Sequence, residues 1–114
     1  MNASIQQTAL QTIQLEAQSI AALAAYIDAD FEKAVTAIQS CKGRLVISGI
    51  GKSAIVAQKI VSTLNSTGTP ALFMHAADAI HGDLGMVQGE DVVMIISKSG
   101  ESPEIKVQIG RAHV

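Results

Sequence analysis

The fold is decided by residues 47–53, Ile-Ser-Gly-Ile-Gly-Lys-Ser, which leave an apolar run of strand type, Arg44–Ser48, through glycine, lysine and serine. Residues 96–102, Ile-Ser-Lys-Ser-Gly-Glu-Ser, leave a second such run, Val92–Ile96, in the same way. Small residues let backbone N–H groups approach an anion, hydroxyls add donors, and a helix N-terminus adds partial positive charge. Two such loops at the ends of two strands predict a site for a phosphorylated small molecule.

The composition limits the class of protein. With 114 residues, 48% hydrophobic and 16% charged, the chain is one domain at most, or part of one, with a packed core. A net charge of −2, no basic cluster and 3% aromatic residues argue against a nucleic-acid partner. The single Cys41, expected in a buried helix position, excludes an internal disulfide, and no signal peptide or membrane span is evident. We therefore expect a cytoplasmic protein without nucleic-acid or membrane partners.

The alternation of strands and helices predicts an α/β fold, in which a parallel sheet of flavodoxin-like, nucleotide-binding-like type is flanked by helices. The run Val92–Ile96 is typical of a central strand that is covered on both faces. The predicted elements are strand Arg44–Ser48, helix Ser53–Asn65, turn Thr67–Pro70, strand Ala71–His75, a short helical stretch, a loop spaced by Gly82, Gly85 and Gly89, strand Asp91–Ser97, and a helix that starts at Ser102-Pro-Glu.

Residues 1–42 are predicted to form an N-terminal helical segment. Apolar residues recur from Ile5 to Ile27 at the spacing of one helix face. A second helix is expected from about Asp30 to Cys41, where Lys42-Gly43 ends it, and it is expected to bury Phe31, Ala34, Val35 and Ile38.

The C-terminal residues break the pattern of the last helix. The stretch Ile109–Val114, Ile-Gly-Arg-Ala-His-Val, interrupts both its periodicity and its helix propensity. The codons ATC GGA AGA GCA CAC GTC of a common short-read sequencing adapter encode the same residues. We therefore expect residues 43–108 to be the N-terminal part of a truncated α/β domain, and residues 109–114 to be a non-native tail.

Two other phosphate-binding motifs were compared with the first loop. A Walker A loop needs a Gly separated by four residues from its Gly-Lys-Ser, and Val46 holds that place. Residues 49–54 do match G-x-G-x-x-A, so a dinucleotide-binding half-domain stays an alternative, although the second strand ends at His75 without an acidic residue to bind a ribose. Two interpretations without a ligand also remain. Residues 49–54 could form a plain strand-to-helix turn, and residues 97–102 a polar loop capped by Ser102.

Four motifs together resemble the sugar isomerase (SIS) family, and more narrowly its arabinose 5-phosphate isomerases. They are Gly-Ile-Gly-Lys-Ser-Ala at 49–54, Ser-Thr-Gly-Thr-Pro-Ala at 66–71, His-Gly-Asp-Leu-Gly-Met at 81–86, and Ser-Lys-Ser-Gly-Glu-Ser-Pro-Glu-Ile at 97–105. The resemblance runs from about Gln6 to Val107. It implies a five-stranded parallel sheet flanked by helices, in an enzyme that works as a homo-oligomer, usually a tetramer.

The resemblance also implies roles for individual residues. Lys52, His81 and Glu104 match the family's functional Lys, His and Glu, and His75 matches its metal-binding His. No cofactor is required for catalysis, and a divalent ion such as zinc at His75 would inhibit. The implied substrate-binding residues are Ser53, Gly68, Thr69, Ser97, Ser99 and Ser102.

The implied reaction interconverts ribulose 5-phosphate and arabinose 5-phosphate on the route to the lipopolysaccharide sugar Kdo. An aldose–ketose shift passes through a cis-enediol, so a base must move a proton between C1 and C2. We assign Lys52 as the stabiliser of enediolate charge, and His81 and Glu104 as candidates for proton transfer, without deciding which is the base. A further His in a Ser-His-Pro-Gly-Gly-type segment of the family is absent from this sequence. The alternatives are a non-catalytic phosphosugar-binding regulator and an isomerase of another phosphosugar.

Overall fold

The computed structural model describes residues 4–80, 83–101 and 103. Contacts between residues divide the chain into two compact units, Met1–Thr36 and Ala37–Val114. The last predicted helix and the predicted tail, Ile109–Val114, lie outside the described residues. Within the described part, no helix is long and apolar enough to cross a membrane. The helices and strands are α1 (Ile5–Ala22), α2 (Ala29–Gln39), β1 (Leu45–Gly49), α3 (Lys52–Ser66), β2 (Ala71–His75), α4 (Ala76–Ile80) and β3 (Val92–Ile95), with 3₁₀ turns at Leu23–Tyr26 and Asp83–Met86.

The second unit is built on a parallel sheet in the strand order β2-β1-β3, which confirms the predicted α/β fold. Leu45 of β1 pairs with Ala71 on one side and with Val92 on the other, and every residue of β1 is buried. The prediction that Val92–Ile96 is a central strand is wrong for the described strands, because β1 has a neighbour on each side and β3 has one. The prediction that this strand is covered on both faces is confirmed, since Val92 and Met94 pack against one core and Val93 packs against the other.

Alternate residues of the strands face two small cores, as the pleat of a sheet requires. On one face, Leu45 and Ile47 pack with Ala57 of α3. On the other face, Val46 packs with Met74 and with α4. The residues of β2 and β3 on the α3 face are Ala71, Phe73, Val92 and Met94, continued by Ile96.

The carboxylate of Asp91 lies at the amino edge of the sheet, the side on which the parallel strands begin. Its side chain is only 2% exposed. It accepts hydrogen bonds from the backbone N–H groups of Arg44 (2.7 Å) and Gln88 (2.8 Å), and it lies 3.2 Å from the Arg44 guanidinium. The N–H of Arg44 is the main reason that the pKa of Asp91 is lowered, and the N–H of Gln88 adds to it. This carboxylate therefore joins the start of β1 to the start of β3.

Replacing Asp91 with Asn is expected to lower the melting temperature at pH 7, because a neutral amide is a weaker acceptor for these donors. A lowered pKa in the folded state stabilises fully above the unfolded pKa of about 3.9 and is lost as pH falls through the folded value. Thermal unfolding from pH 7 to pH 3 measures this. The difference between the two proteins should shrink below about pH 4. A pH-independent difference, or an equal effect of Asp78→Asn at an exposed carboxylate, contradicts the assignment.

Cys41 does not occupy the predicted buried helix position. The helix ends at Gln39, so Cys41 lies in the connection to β1 and is half-buried. Its thiol donates to the carbonyl oxygens of Glu90 (3.3 Å) and Arg44 (3.7 Å). The prediction failed because the helix was extended two residues too far, past Ser40.

The first unit begins with a capping box, in which the Ser4 hydroxyl accepts from the N–H of Gln7 (3.1 Å) and the Gln7 side chain accepts from the N–H of Ser4 (3.0 Å). The predicted helix from Ile5 to Ile27 is observed as α1 followed directly by the 3₁₀ turn Leu23–Tyr26. The Asp28 carboxylate then caps α2 by accepting from the N–H of Phe31 (3.0 Å).

The burial expected for the second helix is largely wrong. Phe31, Ala34 and Val35 are exposed, and only Ile38, which belongs to the second unit, is half-buried against its core. None of the residues of α1, of α2 or of the 3₁₀ turn between them is buried. The described helices of the first unit therefore enclose no core of their own.

Candidate functional site

Three loops leave the carboxyl edge of the sheet side by side. The register pairs Gly49 at the end of β1 with His75 at the end of β2, and Ser48 with Ile95 of β3. Neighbouring strands lie about 5 Å apart, so the residues that follow these strand ends converge on one edge. The structure thereby brings together Lys52 and Ser53, His75, and the loop that carries Ser97 and Ser99. In parallel sheets, the carboxyl edge is where ligands bind.

The first loop brings the N-terminus of α3 close to the end of β1. A Cβ on Gly49 would lie 3.0 Å from the backbone C and O of Ser53, so a larger residue there would force the first turn of α3 to shift by a few tenths of an ångström. Gly51 precedes the helix with φ 61° and ψ −132°, a conformation that L side chains rarely adopt, and has no side chain with which to cap it. The N–H of Ala54 donates to the Gly51 carbonyl (3.1 Å), so the N–H groups of the exposed Lys52 and the half-buried Ser53 are the ones that open the helix toward an anion.

The second loop follows β3 and is ordered by its own hydroxyls. Ser97 Oγ accepts from the N–H of Gly100 (2.8 Å), and Ser99 Oγ accepts from the N–H of Glu101 (3.1 Å). Each hydroxyl therefore has its oxygen fixed in place while its O–H can still donate to another acceptor. Gly100 turns the chain with φ 69°. The loop has the donor groups that a phosphate needs.

Lys98 lies between these two serines and is exposed. The sequence pattern assigned it no role, although it stands inside the quoted Ser-Lys-Ser stretch. Its position at the carboxyl edge adds a second cation to that of Lys52, although the exposed carboxylate of Glu101 lies in the same loop.

His75 lies on the same face of the sheet as Phe73, whose ring meets the imidazole edge-on at 6.3 Å between centroids. The Nδ1 atom accepts a hydrogen bond from the N–H of Ala77 (3.1 Å). A neutral imidazole has one acceptor nitrogen and one N–H, so this bond places the proton on Nε2. His75 therefore presents an N–H donor at the carboxyl edge.

The metal site at His75 stays a prediction. The Nδ1 atom accepts from the N–H of Ala77, so Nε2 is the ring nitrogen that would be left to hold a metal ion. In residues 4–80, 83–101 and 103, no group of three or more His, Cys, Asp or Glu side chains is placed to hold a metal ion.

The resemblance places Gly68 and Thr69 in the substrate site. In this structure they lie away from the residues at the carboxyl edge of the same chain. They precede β2 and lie at the amino edge, where Pro70 accepts a hydrogen bond from the N–H of Leu45 (3.0 Å). The length of β2, roughly 13 Å, separates them from the carboxyl edge of the same chain. They line a different cleft of about 450 Å³, together with Ile38, Gln39, Cys41, Gly43, Leu45 and Pro70.

Three predicted site residues, His81, Ser102 and Glu104, lie outside the described residues. The described part of the site is therefore the anion cradle with Lys52, Ser53, His75, Ser97 and Ser99. It can bind a phosphate and place an ammonium group beside the bound molecule.

Comparisons with known proteins agree with this geometry. The model of the SIS domain family matches residues 38–112, more than half of the chain. The chain is 45% identical over 111 residues to arabinose 5-phosphate isomerase GutQ of Shigella flexneri, covering 97% of this chain and 35% of that protein. It is 49% identical over 100 residues to arabinose 5-phosphate isomerase KdsD of Yersinia pestis, covering 88% of this chain and 30% of that protein.

A solved structure also matches. An Escherichia coli CFT073 protein, solved in complex with arabinose 5-phosphate, superposes with a TM-score of 0.79 at 37% identity, covering 97% of this chain and 61% of that one. The chain thus spans about a third of the length of the curated relatives it matches.

Proposed function

The chain belongs to the SIS domain family, and on that premise we propose that it is the phosphate-binding part of an aldose–ketose isomerase that interconverts ribulose 5-phosphate and arabinose 5-phosphate. The observation that carries the proposal is the convergence of the α3 N-terminus and the Ser97–Ser99 loop at one edge of the sheet. The names of the relatives, with 45% and 49% identity, support the choice of sugar. In lipopolysaccharide-forming bacteria this reaction would supply the precursor of Kdo.

The chemistry follows from the types of residue at this edge. The phosphate accepts hydrogen bonds from the N–H groups that open α3 and from the hydroxyls of Ser97 and Ser99. Lys52 places its ammonium beside the sugar, where it lowers the energy of the enediolate oxygen. His75 offers its Nε2–H to a sugar oxygen. Proton transfer between C1 and C2 is assigned to His81 or Glu104, and no cofactor is required.

A chimera tests this function. Residues 4–108 of this chain replace the aligned segment of the Shigella flexneri relative, and the purified protein is assayed with ribulose 5-phosphate beside the unaltered relative. We expect conversion to arabinose 5-phosphate within about tenfold of the relative, because the groups proposed for phosphate binding and charge stabilisation are supplied by this chain. A folded chimera without conversion contradicts the proposal.

A non-catalytic phosphosugar sensor is the second candidate. It needs only the phosphate cradle of the described residues, and none of the candidates for proton transfer. The same chimera separates the two functions, because a sensor binds arabinose 5-phosphate without converting it. An isomerase of another phosphosugar would instead prefer a different substrate in the assay.

We expect the 114-residue chain by itself to bind phosphosugar without turnover, and the parent enzyme to be a cytoplasmic homotetramer. We expect no turnover because the 114 residues do not include the further His that the family has in a Ser-His-Pro-Gly-Gly-type segment.

Replacing Ser97 with Ala in the chimera is expected to weaken arabinose 5-phosphate binding by about 10- to 100-fold, because a hydrogen bond to a charged phosphate is lost. The Gly100 N–H would also lose its acceptor. Isothermal titration calorimetry measures the effect. Ser66→Ala is the matched control, since that hydroxyl donates to the Ser62 carbonyl (2.8 Å) at the far end of α3. Equal affinities of the two variants would remove Ser97 from the site.

A further inference from the structure

The crossover from β2 to β3, residues 76–91, runs from the carboxyl edge of the sheet to its amino edge. It starts directly after His75 and enters β3 at Val92. It passes across β1, because β1 lies between the two strands that it joins. Its helical parts are only the five residues of α4 and the 3₁₀ turn Asp83–Met86. Helices this short are not stable by themselves, so the contacts of the crossover with the rest of the domain fix its position.

Apolar packing holds the crossover at two places. Ala79 of α4 is 1% exposed and packs with Val46 of β1 and Met74 of β2. Val87, which follows the 3₁₀ turn, packs against the same core. The residues between these two places include the His-Gly-Asp-Leu-Gly-Met stretch at 81–86. That stretch is therefore bounded by an attachment on either side.

A hydrogen bond from Arg44 adds an attachment at the end of this stretch. The Nη2 group of Arg44 donates to the carbonyl oxygen of Met86 (3.0 Å) and to Oδ2 of Asp91 (3.2 Å). An NH₂ group of the guanidinium has two hydrogens, so both bonds can be made together. Oδ2 of Asp91 also accepts from the N–H of Gln88, and the N–H of Asp91 donates to the Gln88 carbonyl (3.0 Å). Arg44 thus joins the Met86 carbonyl to the turn that leads into β3.

The Arg44 side chain is itself held in place. The backbone N–H of Arg44 donates to Oδ1 of Asp91, and its carbonyl accepts from the N–H of Val92 (3.0 Å), so the residue is fixed to the start of β3. The guanidinium is partly exposed, but the carboxylate that it meets is buried. Charged hydrogen bonds are about twice as strong as neutral ones, and the planar guanidinium loses little freedom when it forms them. The Met86 carbonyl therefore bonds to a donor whose position is fixed.

Two of these attachments connect His81 to the strand that carries the phosphate cradle. Ala79 precedes His81 by two residues, and Met86 follows it by five. Ala79 packs on β1, and Arg44, which holds Met86, directly precedes β1. His81 lies outside the described residues, but the chain connects it to both attachments. A displacement of a reacting group by about 1 Å can cost about 100-fold in rate, even when the substitution that causes it is far from the reaction.

We propose that Arg44 is a positioning residue of the isomerase. By holding the Met86 carbonyl, it sets the position of the segment that carries His81 relative to the phosphate cradle. Arg44 lies at the amino edge, so it touches neither the sugar nor the phosphate bound at the carboxyl edge of the same chain. This inference rests on the proposed function, in which His81 is one of two candidates for proton transfer.

The test compares variants of the chimera described above. Arg44→Met keeps a long apolar side chain but removes every donor, and it is expected to lower kcat by about 10- to 100-fold. The Kd for arabinose 5-phosphate, measured by isothermal titration calorimetry, should stay within about twofold of the parent chimera, because the groups of the cradle lie at the other edge. Arg44→Lys keeps a cation that can donate to the Met86 carbonyl, and its kcat should return to within about fivefold of the parent. Lys42→Met is the matched control, because it removes a neighbouring exposed cation and should leave kcat unchanged.

Hydrogen exchange followed by mass spectrometry supplies a measurement that does not depend on turnover. In Arg44→Met, peptides that cover residues 83–91 should exchange at least about fivefold faster, while peptides of α3 should be unchanged. If Arg44→Met does not fold, Asp91→Asn takes its place, because it removes the charged partner of the guanidinium. That variant should also show a lower kcat, an unchanged Kd and faster exchange at 83–91.

Three results overturn the proposal. The first is a kcat of Arg44→Met within about twofold of the parent, which would leave Arg44 with a structural role alone. The second is an equal loss of kcat and of affinity, since a general distortion of the domain predicts that result. The third is unchanged exchange at residues 83–91. A parent chimera that converts no sugar contradicts the proposed function instead, and the exchange then decides whether Arg44 holds the crossover.

Discussion

Replacing Lys52 with Gln is expected to lower the turnover of the chimera by about 10²- to 10³-fold, the usual loss when one preorganised group that stabilises a developing oxyanion is removed. Lys52 is the first residue of α3 and is exposed beside the end of β1, where the proposed function places the sugar oxygens. Glutamine keeps most of the side-chain length and a donor but removes the positive charge. The measured quantity is kcat for ribulose 5-phosphate, with KM determined in the same experiment.

The matched control is Lys59→Gln, which removes an exposed charge from the middle of the same helix and should leave kcat unchanged. A fall in kcat with little change in KM indicates that Lys52 acts in the transition state rather than in ground-state binding. If the two lysine variants have equal kcat, Lys52 does not stabilise the enediolate.

Replacing Gly49 with Ala is expected to lower the free energy of unfolding of the chain by about 1–3 kcal/mol, the usual effect of overpacking. The added Cβ would lie 3.0 Å from the backbone of Ser53 and 3.1 Å from the N of Ala54. These are backbone atoms of the first turn of α3, so the clash is relieved only when the helix moves. Urea unfolding followed by circular dichroism measures the change.

The same substitution is expected to weaken phosphosugar binding, because a displaced α3 no longer aims its first-turn N–H groups at the edge of the sheet. Gly89→Ala is the control: a Cβ there meets nothing within 4 Å, and its stability should stay within about 0.5 kcal/mol of the parent. Equal stability of the two glycine variants would show that the close approach of α3 to β1 does not constrain position 49.

Much of the fold could be predicted from local patterns. The strand Ala71–His75 was predicted with its observed bounds, and the predicted α3 differs by one residue at each end. Both depend on signals that neighbours in the chain supply, such as the glycine turn before Lys52 and the Thr-Gly-Thr-Pro turn after Ser66. The exposed state of Phe31 and Val35 could not be predicted in this way, because the same helical spacing occurs whether or not a partner covers the face.

The site residues show the same difference between what a local pattern predicts and what depends on the tertiary structure. The two loops that carry Ser53, Ser97 and Ser99 are predicted from composition to bind a phosphate, because hydroxyls and glycines that follow a strand supply donors. The roles of the individual serines are implied by the family resemblance. Gly68 and Thr69 have the same composition but precede their strand, and a loop that enters a parallel strand lies at the amino edge. The order of strands and helices therefore predicts that Gly68 and Thr69 lie at the amino edge, whereas the Ser-Thr-Gly-Thr-Pro-Ala motif alone does not.

By itself, the sequence determined the elements, their parallel arrangement and the chemistry of the two loops, since hydrophobic periodicity and turn residues act between near neighbours in the chain. The tertiary structure decided which strand is central and which loops share an edge. These depend on strand order and register, which contacts between residues far apart in the chain establish.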